Sequence, residues 1–150
     1  MAQRAVDLGS TVGYALKQAA TALRAAMEAA LEPLSLTVTQ YSCLELLGQR
    51  PGLSSAELAR GVFVTRQSMQ SVLQGLQERG LLIRSSTAPQ GRALPTELTP
   101  AGSDLLGRAS RAVAGVESRM LRDRTTAEVA RLRADLAACV AALETTAQSG

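Results

Sequence analysis

The 150-residue sequence predicts a mainly α fold that carries one small β-hairpin. Composition is the first reason: aromatic residues make up only 2% of the chain, alanine and leucine dominate, and β-branched residues are sparse outside a few short runs. The second is periodicity, because apolar residues recur at helical spacing in six segments separated by Pro, Gly and Ser/Thr punctuation. The third is a local exception between Leu81 and Leu98, where two short apolar runs flank a Ser/Thr/Pro/Gly-rich connection. A chain of this length buries a real core as one domain.

The first helix is expected from about Val6 to Leu31, with Val12, Leu16, Ala19, Leu23, Met27 and Ala30 on one face and Gly9 and Gly13 loosening its start. Pro33 ends it. Thr37-Val38-Thr39-Gln40 is a capping box that opens a second helix through Tyr41, Leu44 and Leu47, and the segment from Gly48 to Gly52 stops it. Ser54-Ser55-Ala56-Glu57 is a second capping box, opening a helix of about seven residues before a turn at Gly61 to Val64. Thr65 caps a helix from about 66 to 79, whose Met69, Val72, Leu73 and Leu76 face inward.

The opposite face of that helix is polar and nearly uncharged. Arg66, Gln67, Ser68, Gln70, Ser71 and Gln74 point outward, and such side chains hydrogen-bond the edges of bases in a major groove. The alternative is an ordinary solvated face. Gly80 stops the helix, Leu81-Leu82-Ile83 starts a strand, Arg84 to Arg92 forms the connection, and a second strand returns at about 94 to 98. Pro95 suits an edge strand, where a missing donor costs least. Thr99-Pro100 opens a helix from about 100 to 121. Asp123-Arg124-Thr125 breaks it, and Thr125-Thr126-Ala127-Glu128 is a third capping box before a last helix carrying Val129, Leu132, Leu136, Val140 and Leu143.

A helix followed directly by a hairpin whose loop carries Arg92 resembles the winged helix-turn-helix. More specifically, GLSSAELAR at 52–60, VTRQSMQSVLQGLQERGLLI at 64–83 and Leu98-Thr99-Pro100-Ala101-Gly102 resemble the core of MarR-type transcriptional regulators over about residues 37–106. Two positions depart from that pattern. Gln90-Gly91-Arg92 stands where the family's wing has Asp-x-Arg, and Phe63, the chain's single phenylalanine, stands where the turn usually has glycine. The resemblance implies a homodimeric repressor on a pseudopalindromic operator in double-stranded DNA, contacted by Thr65, Arg66, Gln67, Ser68, Gln70, Ser71, Gln74, Arg84 and Arg92. It also implies release by a small lipophilic or phenolic effector, which Tyr14, Met27 and Tyr41 approach unless they are simply core. On this reading residues 1–36 and 100–150 are dimerisation helices around a DNA-binding lobe at 37–99. Their apolar stripes want a partner, and a second copy is the economical one.

Other chemistry is scarce. The absence of histidine removes the commonest metal ligand and general base, no glycine-rich phosphate loop is present, and the carboxylates are scattered, so neither an enzyme nor a cofactor or metal site is expected. Cys43 and Cys139 lack ligand spacing. Peroxide-sensing relatives carry their cysteine in the first helix, where this chain has none, so Cys43 is expected in the core. A formal charge of +3 and a pI near 9.4 suit a nucleic-acid partner, and fifteen of the sixteen basic residues are arginine. The lobe at 37–99 has six arginines and four glutamates, and this modest balance keeps open the alternative of a protein-interaction module with no DNA target. MAQRAVDLGSTVG has no signal-peptide core and no apolar run is long enough to span a bilayer, so a cytoplasmic protein without a membrane segment is expected.

Overall fold

Among the described residues, six α-helices start where a Ser or Thr side chain accepts a hydrogen bond from a backbone N–H of the first turn. The computed structural model describes residues 7–85 and 95–147. Helices α1 (Val12–Leu31), α2 (Val38–Gln49), α3 (Ser55–Gly61) and α4 (Arg66–Glu78) precede strands β1 (Leu82–Arg84) and β2 (Thr96–Leu98). Helices α5 (Pro100–Met120) and α6 (Thr126–Ala147) follow. The caps are Thr11, Thr37, Ser54 and Thr65 for α1 to α4, with Thr99 accepting from Gly102 N–H at 3.1 Å and Thr125 from Glu128 N–H at 3.1 Å for α5 and α6. Each such cap contributes about 1 kcal/mol. All three expected capping boxes close reciprocally.

Helix α1 starts later than the apolar pattern suggests. Asp7 caps a short 3-10 turn at Leu8–Ser10, and Thr11, extended at φ −89° and ψ 140°, then caps the helix proper. Two successive caps interrupt what the periodicity alone would run together.

The chain divides into two compact units, residues 1–116 and 117–150. In the first, Leu44 and Leu47 of α2, Leu58 of α3, Met69, Leu73 and Leu76 of α4, and Leu82 of β1 are all almost fully buried and form one core with Leu31 and Cys43. Burying each such side chain is worth about 1.5–3 kcal/mol. The strands pair antiparallel in the register Leu82–Leu98, Ile83–Glu97 and Arg84–Thr96. At Thr96 the outer edge of β2 is itself occupied: Gly52 N–H donates to the Thr96 carbonyl, and Thr96 N–H to that of Leu53, each at 3.0 Å. Pro95 lies one residue before this pairing, and its carbonyl accepts from Ser85 N–H at 3.1 Å.

The Leu-Thr-x-x-Gly segment welds α5 to the end of α4. Thr99 Oγ1 donates to the Gly80 carbonyl at 2.6 Å and Thr99 N–H to that of Leu81 at 3.1 Å. A side chain at Gly102 would overlap the Leu81 carbonyl, so only glycine allows the first turn of α5 to come this close. In the second unit the end of α5 turns at Leu121–Asp123 into α6, whose Leu132, Leu136, Val140 and Leu143 are 40–75% exposed. Among the described residues no helix is long and apolar enough to cross a membrane.

Candidate nucleic-acid interface

Helix α4 buries Met69, Leu73 and Leu76 completely and half-buries Val72, which leaves Arg66, Gln67, Ser68, Gln70, Ser71 and Gln74 exposed on its outer face. The sequence-predicted polar set therefore shares one surface. The side chains of Arg66, Gln67, Ser68 and Ser71 make no hydrogen bond among the described residues, whereas Gln74 Nε2 donates to Glu78 at 3.2 Å. Thr65 Oγ1 is occupied as the cap, accepting from Ser68 N–H at 3.0 Å. Arg84, half-buried at the end of β1, donates from Nη1 to Gln70 Oε1 at 3.2 Å, and Gln70 Nε2 donates to Ser55 Oγ at 3.1 Å. Arg92 and its neighbour Gln90 lie outside the described residues.

The turn into α4 solves a backbone problem with an unusual residue. Phe63 adopts φ +61°, the left-handed conformation that glycine enters most cheaply, and its side chain is 94% exposed. Gly61, two residues earlier, serves packing instead, since a side chain there would overlap Leu46 of α2. The glycine expected in the turn is thus displaced from the residue that needs a positive φ. Val64 N–H donates to the Ala59 carbonyl at 3.0 Å and closes the turn.

The far end of α4 is fixed as firmly. Gly80, at φ +73°, donates its N–H to the Gln77 carbonyl at 2.9 Å, and Leu81 N–H donates to that of Leu76 at 3.0 Å, which together make a Schellman motif. The Arg79 guanidinium reaches back to the turn between α1 and α2, donating from Nη1 to the Ser35 carbonyl at 2.7 Å and from Nη2 to that of Leu34 at 3.4 Å. Neither Ser55 nor Arg79 is legible in the sequence as a support of α4, because their partners lie 15 and 44 residues away.

Tyr14 and Tyr41 line different hollows. Tyr14 lines a shallow groove along α1 with Lys17, Gln18 and Thr21. Tyr41 lines a separate hollow of about 230 Å³ with Glu45, Gln49 and Phe63, and Met27 is half-buried and lines neither. Beside Tyr41, the Glu45 carboxylate accepts from Ser110 Oγ at 2.9 Å and from Gln49 Nε2 at 3.0 Å. Burial pushes the Cys43 thiol up to about 12, while Cys139 is exposed. The Ser54 backbone N–H, donating to Glu57, holds that carboxyl below its usual value, as Thr125 does for Glu128. No group of three or more potential metal-ligating side chains occurs among the described residues.

The MarR family model matches residues 34–93. The HTH-type transcriptional repressor Rv2887 of Mycobacterium tuberculosis is 44% identical over 110 residues, covering 73% of this chain and 79% of that protein. The structure of Rv2887 in complex with DNA superposes with a TM-score of 0.72 at 37% identity, over 87% of this chain and 98% of that one. Its complex with salicylic acid gives a TM-score of 0.70 at 38% identity, over 87% and 96%. The transcriptional repressor CouR bound to a 23-mer DNA duplex gives a TM-score of 0.82 at 28% identity, over 93% and 99%. With the helix–hairpin unit, the Leu-Thr-x-x-Gly weld and these relatives in agreement, the chain belongs to the MarR family.

Proposed function

We propose that this protein is a ligand-responsive transcriptional repressor that binds double-stranded DNA as a homodimer and is not an enzyme. The observation that carries the proposal is the outer face of α4, where Arg66, Gln67 and Ser71 are exposed with no protein partner among the described residues. A solvated polar face is ordinary in a surface helix, but these side chains are also ones that hydrogen-bond base edges in a major groove. Residues 37–99 form the DNA-binding lobe, with Thr65, Ser68, Gln70, Gln74 and Arg84 beside the readers and Arg92 on the wing. Residues 1–36 and 100–150 form the dimerisation helices, consistent with the exposed apolar stripe of α6. The cytoplasm, where such DNA is found, is its site of action.

The DNA-bound relatives support this reading, and the Rv2887 complex with salicylic acid makes a small phenolic acid the first effector to test. Tyr14, Met27 and Tyr41 are the proposed effector contacts. The deciding experiment is a mobility shift and footprint on DNA upstream of the protein's own gene. Two half-sites about 34–36 Å apart, related by a near-palindrome, are expected for a twofold dimer. Equal affinity for operator and scrambled duplex would refute the proposal and leave a winged-helix protein-interaction module in its place.

A further inference from the structure

We infer that Gln70 reads no base, although it lies on the outward face of α4; it is a positioning residue that bridges α3 to the root of the wing and so sets where the hairpin leaves the recognition helix. This rests on the DNA-reading proposal and assigns one residue of that face a different part. The amide of Gln70 is committed at both ends, its Oε1 accepting from Arg84 Nη1 at 3.2 Å and its Nε2 donating to Ser55 Oγ at 3.1 Å. Direct readout of adenine by glutamine uses the same carbonyl and the same amide nitrogen together. Both would have to be surrendered.

The chemistry fixes which way the amide faces. A guanidinium has donors only, so Oε1 must point at Arg84, and Nε2 is then left for the hydroxyl of Ser55, which accepts. A flipped amide would set two donors against each other. The bridge also joins three elements that the chain connects only through turns: Ser55 is the first residue of α3, Gln70 lies in the second turn of α4, and Arg84 ends β1. Arg84 has no other hydrogen bond among the described residues, and its buried Nε has no partner, so Gln70 is its sole polar hold on the lobe. From Arg84 the chain runs on through Ser85 towards the segment that carries Arg92. Base reading is accordingly left to Arg66, Gln67 and Ser71, while losing the Gln70 bridge loosens the root of the hairpin at β1 and lowers affinity for every sequence alike.

The test uses the full-length protein and the Ser55→Ala, Gln70→Ala, Gln70→Glu and double Ser55→Ala/Gln70→Ala variants. Each is titrated against the operator, scrambled duplex and operators mutated at each base pair, and unfolding in urea without DNA is followed in parallel. Ser55→Ala and Gln70→Ala should each weaken binding about three- to tenfold, with base-preference profiles that superimpose on wild type. Gln70→Glu should retain the wild-type profile, because a carboxylate accepts from both Arg84 and the Ser55 hydroxyl. In the unfolding cycle, the Ser55→Ala and Gln70→Ala effects should be non-additive, as they must be for two groups sharing one bond. Loss of discrimination at a single base pair by more than about tenfold in Gln70→Ala, with the Ser55→Ala profile unchanged, would overturn the inference in favour of base reading. Strict additivity in the DNA-free cycle would overturn the bridge itself. A wild type that prefers no sequence overturns the DNA reading beneath it, so the two failures are separable.

Discussion

Replacing Phe63 by glycine should stabilise the protein, although the exchange deletes its only phenylalanine. The backbone of Phe63 sits at φ +61°, and holding a side-chain-bearing residue in the left-handed region costs roughly 1–2 kcal/mol. Little burial is lost in return. The ring is 94% exposed, so it hides on the order of 10 Å², worth about 0.3 kcal/mol. Glycine's extra freedom in the unfolded chain takes back about 0.5–1 kcal/mol. The balance is a gain of about 0.5 kcal/mol, with an upper bound of about 1 kcal/mol. Phe63→Ala should lie within about 0.5 kcal/mol of wild type, because alanine keeps the backbone strain and loses only the small burial. Gly80→Ala is the mirror experiment: φ is +73° and nothing lies within 4 Å of the added carbon, so the loss of about 1 kcal/mol expected there is purely conformational. Urea unfolding of the full chain at one fixed protein concentration measures all three, since self-association would otherwise shift the midpoint. A Phe63→Gly loss of more than about 1 kcal/mol would refute the reasoning and mean that the ring is buried in solution.

Gly102→Ala should cost about 1–3 kcal/mol, because the new carbon meets the backbone carbonyl of Leu81, while Gly75→Ala in the middle of α4 meets nothing and should gain up to about 1 kcal/mol. Equal unfolding midpoints for the two would contradict this account of the α4–α5 weld. In thiol labelling at pH 8, Cys43 should react only after unfolding, since burial pushes its thiol up to about 12. Mass spectrometry of peptides from the native protein checks this, and rapid native labelling of Cys43 would argue against its burial. Deleting residues 125–150 should leave aggregated or unfolded protein if the exposed stripe of α6 is covered by a second copy. Ultracentrifugation that found a cooperatively folded monomer would exclude coupled folding and dimerisation.

The parts of this fold that sequence discloses are those written at short range. A capping box is a contract between residues three apart, and each of the three expected at Thr37, Ser54 and Thr125 closes as its spacing requires. The α4 periodicity sorted Met69, Leu73 and Leu76 from Arg66, Gln67 and Ser71 for the same reason, since i, i+3 and i+4 neighbours share a face whatever the rest of the chain does. Long-range partners leave no such trace. Nothing around Ser55 announces Gln70, and nothing around Arg79 announces the carbonyls of Leu34 and Ser35. Phe63 is intermediate: its place in a glycine position was visible, but whether the backbone would move or the residue would bear a positive φ depended on how closely Gly61 packs against Leu46.

The start of α4 shows why a functional reading explains more than a structural one. Helices α3 and α6 each place a glutamate in the first turn, Glu57 and Glu128, where it completes the capping box and suits the positive end of the helix dipole. Helix α4 has the same kind of cap in Thr65 and, like α1, α2 and α5, no acidic residue in its first turn; what sets it apart is that its first residue is Arg66. A cation there opposes the dipole and costs about 0.3–1 kcal/mol, with no carboxylate nearby in the turn to offset it. The unfavourable charge becomes useful when a phosphate arrives, because free N–H groups at a helix start and an adjacent guanidinium attract the same anion. A glutamate at Ser68 would complete a third box of the Ser/Thr–Glu kind and stabilise the isolated helix, but it would repel the DNA backbone. On the proposed function, the incomplete cap of α4 exchanges a fraction of a kilocalorie of fold stability for an anion-attracting tip at the point where the reading helix enters the groove.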